Sequence, residues 1–226
     1  MEPTAIILQH KPSIPTDDLL STFARSGITG IKLRPNNVNE LPSEQLIAKS
    51  SAVVLVDIPA RNNHQLHEEE IKLIKRFRNK KKILALGTGT ITAGIAHGAK
   101  VCSDHLRLGW MPATPTNHVS GQLEKFSTKI LVNSNIKLTP PEEAKILLTS
   151  GRHVVAYKHN NLLSLDFVTN IDLTSYDLII QKAIRQKASP SPRVQTVEEL
   201  RYYRDKHLKP YQAEISNFLE HWLAKF

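Results

Sequence analysis

The chain has 226 residues, 40% of them hydrophobic and 23% charged, which supplies apolar side chains for a sizeable core and excludes an intrinsically disordered protein. A single cysteine, Cys102, excludes an intramolecular disulfide and a cysteine-rich zinc site, and no run of about 18 apolar residues is present to span a bilayer as a helix. The formal charge of +9 leaves nucleic acid, anionic lipid or an acidic protein open as partners.

Met1 to Leu8 carry no basic leader and no small-residue cleavage site, so a cytoplasmic protein is expected. Apolar runs rich in β-branched residues follow one another at Ala5–Leu8, Ile28–Leu33, Ala52–Val56 and Ile83–Leu86, with segments of crossover length between them. This rhythm predicts an α/β fold with a doubly wound, mostly parallel sheet of flavodoxin-like type. The third crossover, Leu66 to Lys80, places Ile71, Leu73, Ile74 and Phe77 at helical spacing. Its end is strongly basic: Lys72, Lys75, Arg76, Arg78, Lys80, Lys81 and Lys82 fall within eleven residues. Glu68, Glu69 and Glu70 precede them, so acids open the helix and bases close it, as the macrodipole prefers. The alternative is an anion patch able to hold nucleic acid. A helix entering the fourth strand ends at that strand's N-terminal edge, which separates this charge from the turn at the other end.

After Val101 the pattern shortens to Thr128–Val132, His153–Lys158 and Leu162–Phe167, with Asn160-Asn161 as a hairpin turn, and predicts an antiparallel extension. A helix is expected at Tyr176–Gln186. Ala188 to Arg193, with two prolines, breaks it. Thr196 and Glu199 form a capping box, and Pro210 is expected to begin a final helix through Phe226. One domain is predicted, an α/β core over 1–170 with C-terminal helices over 171–226.

The turn after the fourth strand carries the chemistry. In Ala85-Leu86-Gly87-Thr88-Gly89, an apolar strand meets a tight turn and then a helix. Gly87 and Gly89 supply only part of a dinucleotide fingerprint, because Thr92 stands at the third glycine position. A nucleophile elbow instead requires small residues two places either side of its centre, which Ala85 and Gly89 provide around Gly87, whereas Leu86 and Thr90 around Thr88 are too large.

This stretch, running on to His97-Gly98-Ala99-Lys100-Val101, resembles the class I glutamine amidotransferases, whose elbow reads G-x-C-x-G. Val54-Leu55-Val56-Asp57-Ile58-Pro59 looks like that family's strand ending in Leu-Gly-Gly-Pro, with Asp57 and Ile58 where the oxyanion-hole glycines belong. Leu108-Gly109-Trp110-Met111-Pro112 is similar to its Gly-Trp segment, and Leu138 to Ser150 to the stretch after its substrate loop. Leu165 to Asn170 falls where it has Gln-Phe-His-Pro-Glu, and Phe218 to Leu223 resembles the last helix of its stand-alone branch. The resemblance implies the family's fold over nearly the whole chain. It also implies lost catalysis: Gly87 replaces the cysteine, Val168 the histidine and Asn170 the glutamate. Glycine has no side chain to attack with, and valine cannot move a proton.

The expectation is therefore a non-catalytic scaffold, adaptor or regulatory subunit of a larger assembly, of bacterial secretion or regulatory type, with protein partners and no cofactor. The alternative is a hydrolase or transferase using other residues of the same cleft, which would have to draw on Asp57, Thr88 or Asp104. Nucleic-acid binding through Lys72 to Lys82 is a third possibility. Tyr202, Tyr211 and Phe218 are expected to form an aromatic protein interface on the last helices. His64, His67 and Glu68 have metal-ligand spacing but no third distant ligand, so ordinary surface side chains are expected; so is a buried structural thiol at Cys102. Nothing in the sequence fixes a partner or an oligomeric state.

Overall fold

The computed structural model describes residues 2–60, 62–117, 129–185 and 193–224. Four strands, β1 (Thr4–Leu8), β2 (Thr29–Leu33), β3 (Ala52–Leu55) and β4 (Lys82–Leu86), alternate with helices α1 (Asp17–Arg25), α2 (Glu44–Lys49) and α3 (His64–Phe77). Helix α4 (Gly89–Ala96) leads into β5 (Lys100–Pro112), followed by β6 (Thr114–Pro115), β7 (Lys129–Thr139), β8 (Lys145–Ser150), β9 (His153–His159) and β10 (Leu162–Leu165). Helices α5 (Leu173–Arg185) and α6 (Val197–Leu223) close the described chain.

The main sheet runs β2-β1-β3-β4-β10-β9-β8-β6. Strands β2, β1, β3, β4 and β10 are parallel, and β9, β8 and β6 add on in antiparallel fashion. The central strands read as unbroken apolar runs because helices cover both faces. Ala5, Ile7, Val54, Leu84 and Leu86 point into a layer with α1, α5 and α6. Ile6, Leu8, Val53, Leu55, Ile83 and Ala85 point into the opposite layer with α2, α3 and α4.

Three expectations need correction. Leu162–Leu165 pairs in parallel with β4 as well as antiparallel with β9, so it belongs to the parallel half and carries the reversal of direction. The hairpin joining it to β9 turns at Asn160, whose φ is +52°. The segment beginning near Lys129 does not extend the main sheet; β7 pairs with the 13-residue β5 in a separate two-stranded ribbon. Finally, Pro210 does not start a helix but lies inside the 27-residue α6. Its missing N–H and ring would break an isolated helix, but α6 is fixed by burial on both sides of the proline, through Leu200 and Leu208 before it and Tyr211, Ile215 and Leu219 after it. The capping box at its start is present: Thr196 Oγ1 accepts from Glu199 N at 3.1 Å, and Glu199 Oε2 accepts from Thr196 N at 2.8 Å. Residues 188–192 of the expected break and Phe226 lie outside the described residues.

Candidate functional site

Strand β4 delivers the chain to Gly87 at the C-terminal edge of the sheet, where its φ is +51°. This left-handed conformation favours glycine. The Gly87 N–H donates to Leu165 O at 2.9 Å, which ties the turn to the end of β10. Position 87 itself has room, since a β-carbon there would have Val56 O at 3.7 Å and Phe167 O at 3.9 Å as nearest atoms. Gly89 is different: a β-carbon would stand 2.6 Å from the Leu55 carbonyl carbon and closer still to its oxygen. Helix α4 therefore starts in direct contact with the end of β3. Thr90 Oγ1 donates to Gly87 O at 2.7 Å and Thr92 Oγ1 meets His67 Nε2 at 3.0 Å, so both hydroxyls serve the helix and its packing.

Beyond the turn lies a cleft of about 320 Å³, outside the carboxyl ends of the parallel strands where ligands of open α/β sheets bind. Gly87 and Thr88 form its floor with Val56, the β1–α1 loop from Lys11 to Pro15 forms one wall, and Val168 to Ile171 form another. Helix α5 completes it with Ser175, Leu178, Ile179 and Lys182. Helix α6 holds the second wall from behind: Tyr211 Oη donates to Val168 O at 2.6 Å and Gln212 Nε2 to Ile171 O at 2.6 Å. Gly87, Val168 and Asn170, adjacent only through the fold, thus face one cavity. Among the described residues its lining includes no cysteine, histidine, aspartate or glutamate, and the cations there are Lys11 and Lys182, the latter donating to Asn133 Oδ1 at 2.5 Å.

Asp57 and Ile58 follow β3, but Asp57 does not line the cleft. It is fully buried, and its two carboxylate oxygens accept the backbone N–H groups of His10 and Lys11, each at 2.7 Å. Burial pushes its carboxyl above the usual range, while these bonds pull the other way. Its place is structural: it fixes the loop that carries Lys11. Next to it stands a pair that the sequence reading missed. His10 Nε2 meets Glu70 Oε2 at 2.7 Å and His10 Nδ1 meets Pro35 O at 3.1 Å, so both ring nitrogens face acceptors. Burial opposes charge on this ring, but the bond and charge of Glu70 outweigh it and raise the pKa. The signal was available, because Glu70 lies four residues after Leu66 and four before Ile74 on the buried face of α3.

The basic stretch lies elsewhere and is largely engaged within the fold. Lys72 pairs with Glu69, Arg76 with Glu44, Arg78 donates to Ala96 O, and Lys81 to Ala48 O and Ser50 O. Lys80, Lys81 and Lys82 precede or open β4, at the opposite edge from Gly87, and Lys75 lies on α3; none of these lines the cleft. Asp104 sits on the β5–β7 ribbon beside His153, at 3.5 Å, and Arg193, at 3.9 Å, also outside the cleft. No group of three metal-ligating side chains comes together among the described residues. Cys102 is exposed rather than buried, because it points outward from the ribbon's open face. The aromatic interface is corrected as well: Tyr211 and Phe218 are buried against the sheet layer, and only Tyr202, at 60% exposure, meets solvent.

At the far side of α4, His97 is 4% exposed, stacks edge-on against His159 at 5.7 Å between centroids, and has no hydrogen-bond partner on either ring nitrogen. Burial, with the nearby His159 and Arg78, lowers its pKa to about 4. The folded value lies below the unfolded one, so this group contributes stability above pH ~6.5 that is lost as pH falls through about 4. His97→Phe should therefore gain roughly 2–3 kcal/mol relative to wild type between pH 7.5 and 4.5, from the conversion of pKa difference to free energy. Parallel urea titrations at the two pH values check this. A constant difference would place the proton elsewhere.

No protein-family model matches the sequence, and no curated protein matches it. Solved structures do match. A glutamine amidotransferase from Thermotoga maritima superposes with a TM-score of 0.77 at 14% identity, over 99% of both chains. A glutamine amido transferase from Methylobacillus flagellatus gives 0.77 at 19% identity, over 99% of this chain and 93% of that one. The sheet order, the elbow after β4 and these superpositions together give the chain the flavodoxin-type fold of the glutamine amidotransferases.

Proposed function

We propose that this chain is a non-catalytic member of the amidotransferase-like proteins, located in the cytoplasm, that acts as a scaffold, adaptor or regulatory subunit of a larger protein assembly such as a bacterial secretion or regulatory complex. One observation carries the reading. The cleft that meets the elbow has glycine at its centre, and among the described residues its lining offers neither a strong nucleophile nor an acid or histidine to move a proton. Amide hydrolysis needs both, together with donors for the oxyanion. Thr88 brings a hydroxyl to the cleft but has no base beside it among the described residues, and Asp57 spends both oxygens on backbone N–H groups.

Purified protein is expected to release no ammonia from glutamine above a blank, and turnover abolished by unfolding would overturn the reading. Gly87→Cys should be equally inert. With no base among the described lining residues, its thiol should stay mostly protonated at neutral pH, and none of those residues donates a proton to the departing ammonia. For the second half of the proposal, affinity purification from the native cell followed by mass spectrometry should recover a stoichiometric protein partner. Recovery of this chain alone would count against an assembly role.

A further inference from the structure

We propose that His10 and Glu70 form a pH-operated clasp that holds together the β1–α1 loop, the loop after β2 and helix α3, and that loosens when the ring gives up its second proton. The inference goes beyond the reading of the chain as inert and does not depend on it. His10 Nε2 stands 2.7 Å from Glu70 Oε2, and Nδ1 stands 3.1 Å from Pro35 O. A carboxylate and a carbonyl only accept, so both ring nitrogens must donate, which the imidazolium alone can do. Loss of one proton sets two acceptors face to face at one of these contacts.

The side chains of His10 and Glu70 are 4% and 0% exposed, and Glu70 Oε1 is buried without a hydrogen-bond partner. With the ring neutral, Glu70 loses its partner charge where water does not reach it, a state that favours local opening. Among the described residues, α3 adds His67 near the ring, with His64 and Glu68 beyond it, the segment after β3 adds Asp57, and the loop itself adds Lys11. Asp57 is held by the N–H groups of His10 and Lys11, and the Arg34 guanidinium, next to Pro35, donates to Gln9 Oε1 at 3.4 Å. Burial above all, with the charge of His10 adding to it, holds His67 below the ordinary imidazole range, so His67 has no second proton to lose as pH rises from neutrality.

The clasp reaches two cavities. The loop that Asp57 fixes at His10 and Lys11 runs on through Ser13, Ile14 and Pro15 along the Gly87 cleft. On the other side His10 lines, with Pro35 and Asn36, a cavity of about 250 Å³. Asn63, the N-cap of α3, donates from Nδ2 to Asn36 O at 2.8 Å, so the loop after β2 stays tethered when the ring contact is lost. Release therefore loosens both walls without unfolding them. Burial opposes charge on the ring, but the bond and charge of Glu70 outweigh it and raise the pKa of His10. The clasp is complete below the unfolded value of ~6.5 and is lost as pH rises through the folded one.

Hydrogen exchange on the full chain, read by mass spectrometry at pH 6 and pH 8.5 and corrected for intrinsic rates, tests the clasp. Peptides covering residues 9–15 and 34–41 should lose protection by about threefold or more at the higher pH, from the difference in proton affinity between the closed and the open ring. An NMR titration of the His10 ring nitrogens in wild type should show both protonated at pH 6 and a midpoint above the ordinary imidazole value of about 6.5. Glu70→Gln sets an amide donor opposite Nε2, so a neutral ring with its proton on Nδ1 satisfies both contacts, and the two segments should then keep the same protection at both pH values. The proposal is overturned if the ring titrates at or below the ordinary value, if protection of the two segments does not fall with rising pH, or if Glu70→Gln shows the same fall as wild type. The first two readings use wild type alone and decide the matter even where the variant does not fold.

Discussion

Replacing Gly89 by alanine is expected to destabilise the protein by about 3 kcal/mol, at the upper end for overpacked interiors, whereas alanine at Gly87 should cost only about 1 kcal/mol. The two glycines stand two residues apart in one turn, yet different physics selects them. At Gly87 the backbone is left-handed, with φ at +51°, and the space around it is open. An added β-carbon there meets no atom closer than 3.7 Å, so the only penalty is the torsional one. At Gly89 the added atom would collide with the carbonyl group of Leu55, which is backbone in a central strand and cannot step aside. Helix α4 would have to lift from β3, disturbing Ala93 and Ala96 in the layer beneath. Urea unfolding of both variants decides it. Equal losses, or a larger loss at Gly87, would mean that the elbow is held by strain at its centre and not by contact at its flank.

That contrast also shows why much of the fold was legible in the sequence. A steric rule on small residues either side of position 87 fixed the register of the elbow, and the contact between Gly89 and Leu55 is that rule in atomic form. The parallel strands were legible because burial on both faces leaves unbroken apolar runs such as Ala5–Leu8. Long-range partners were harder to read. The β5–β7 ribbon follows no local pattern that separates it from a sheet extension, since alternation along a strand says which side is buried and not which strand lies beside it. Helix α6 runs through Pro210 because tertiary burial outweighs a local preference. For the same reason Tyr211 and Phe218 are anchors and not an interface: their facing surface is the sheet layer. Within the cleft, Gly87, Val168 and Asn170 were legible by alignment to a known frame, but Lys11, Asn133 and Lys182 were not, because three separate elements bring them together.

The buried pair behind the cleft wall leads to the other large effect: Arg107→Met should destabilise the protein by about 3–5 kcal/mol at pH 8. Arg107 Nη2 lies 3.3 Å from Asp166 Oδ2 and donates to Ile136 O at 3.1 Å, and both ionic side chains are less than a tenth exposed. Removing the guanidinium leaves a carboxylate in an apolar layer directly before Phe167 to Asn170, the segment that forms the cleft wall. Even with the arginine present, burial pushes the Asp166 carboxyl up to about 7, against the opposing pull of Arg107. A raised carboxyl pKa means that the folded state holds a proton the unfolded chain lacks between about 4 and 7. The associated stability is present below the unfolded value and is lost as pH rises through the folded one. Without Arg107 the folded value rises further, so the deficit of the variant should shrink as pH falls from 8 to 5.5. His97 titrates in the opposite sense over part of this range, but it is present in both proteins and cancels from their difference. Adding Asp166→Leu to Arg107→Met removes the orphaned charge and should restore most of the loss at pH 8, since breaking one half of a buried pair costs more than replacing both. Unfolding free energies of the three proteins at pH 8 and 5.5 provide the check. A deficit independent of pH, or a double variant no better than the single one, would show that Arg107 acts through its bond to Ile136 O and its packing, and that Asp166 is already neutral in the native protein.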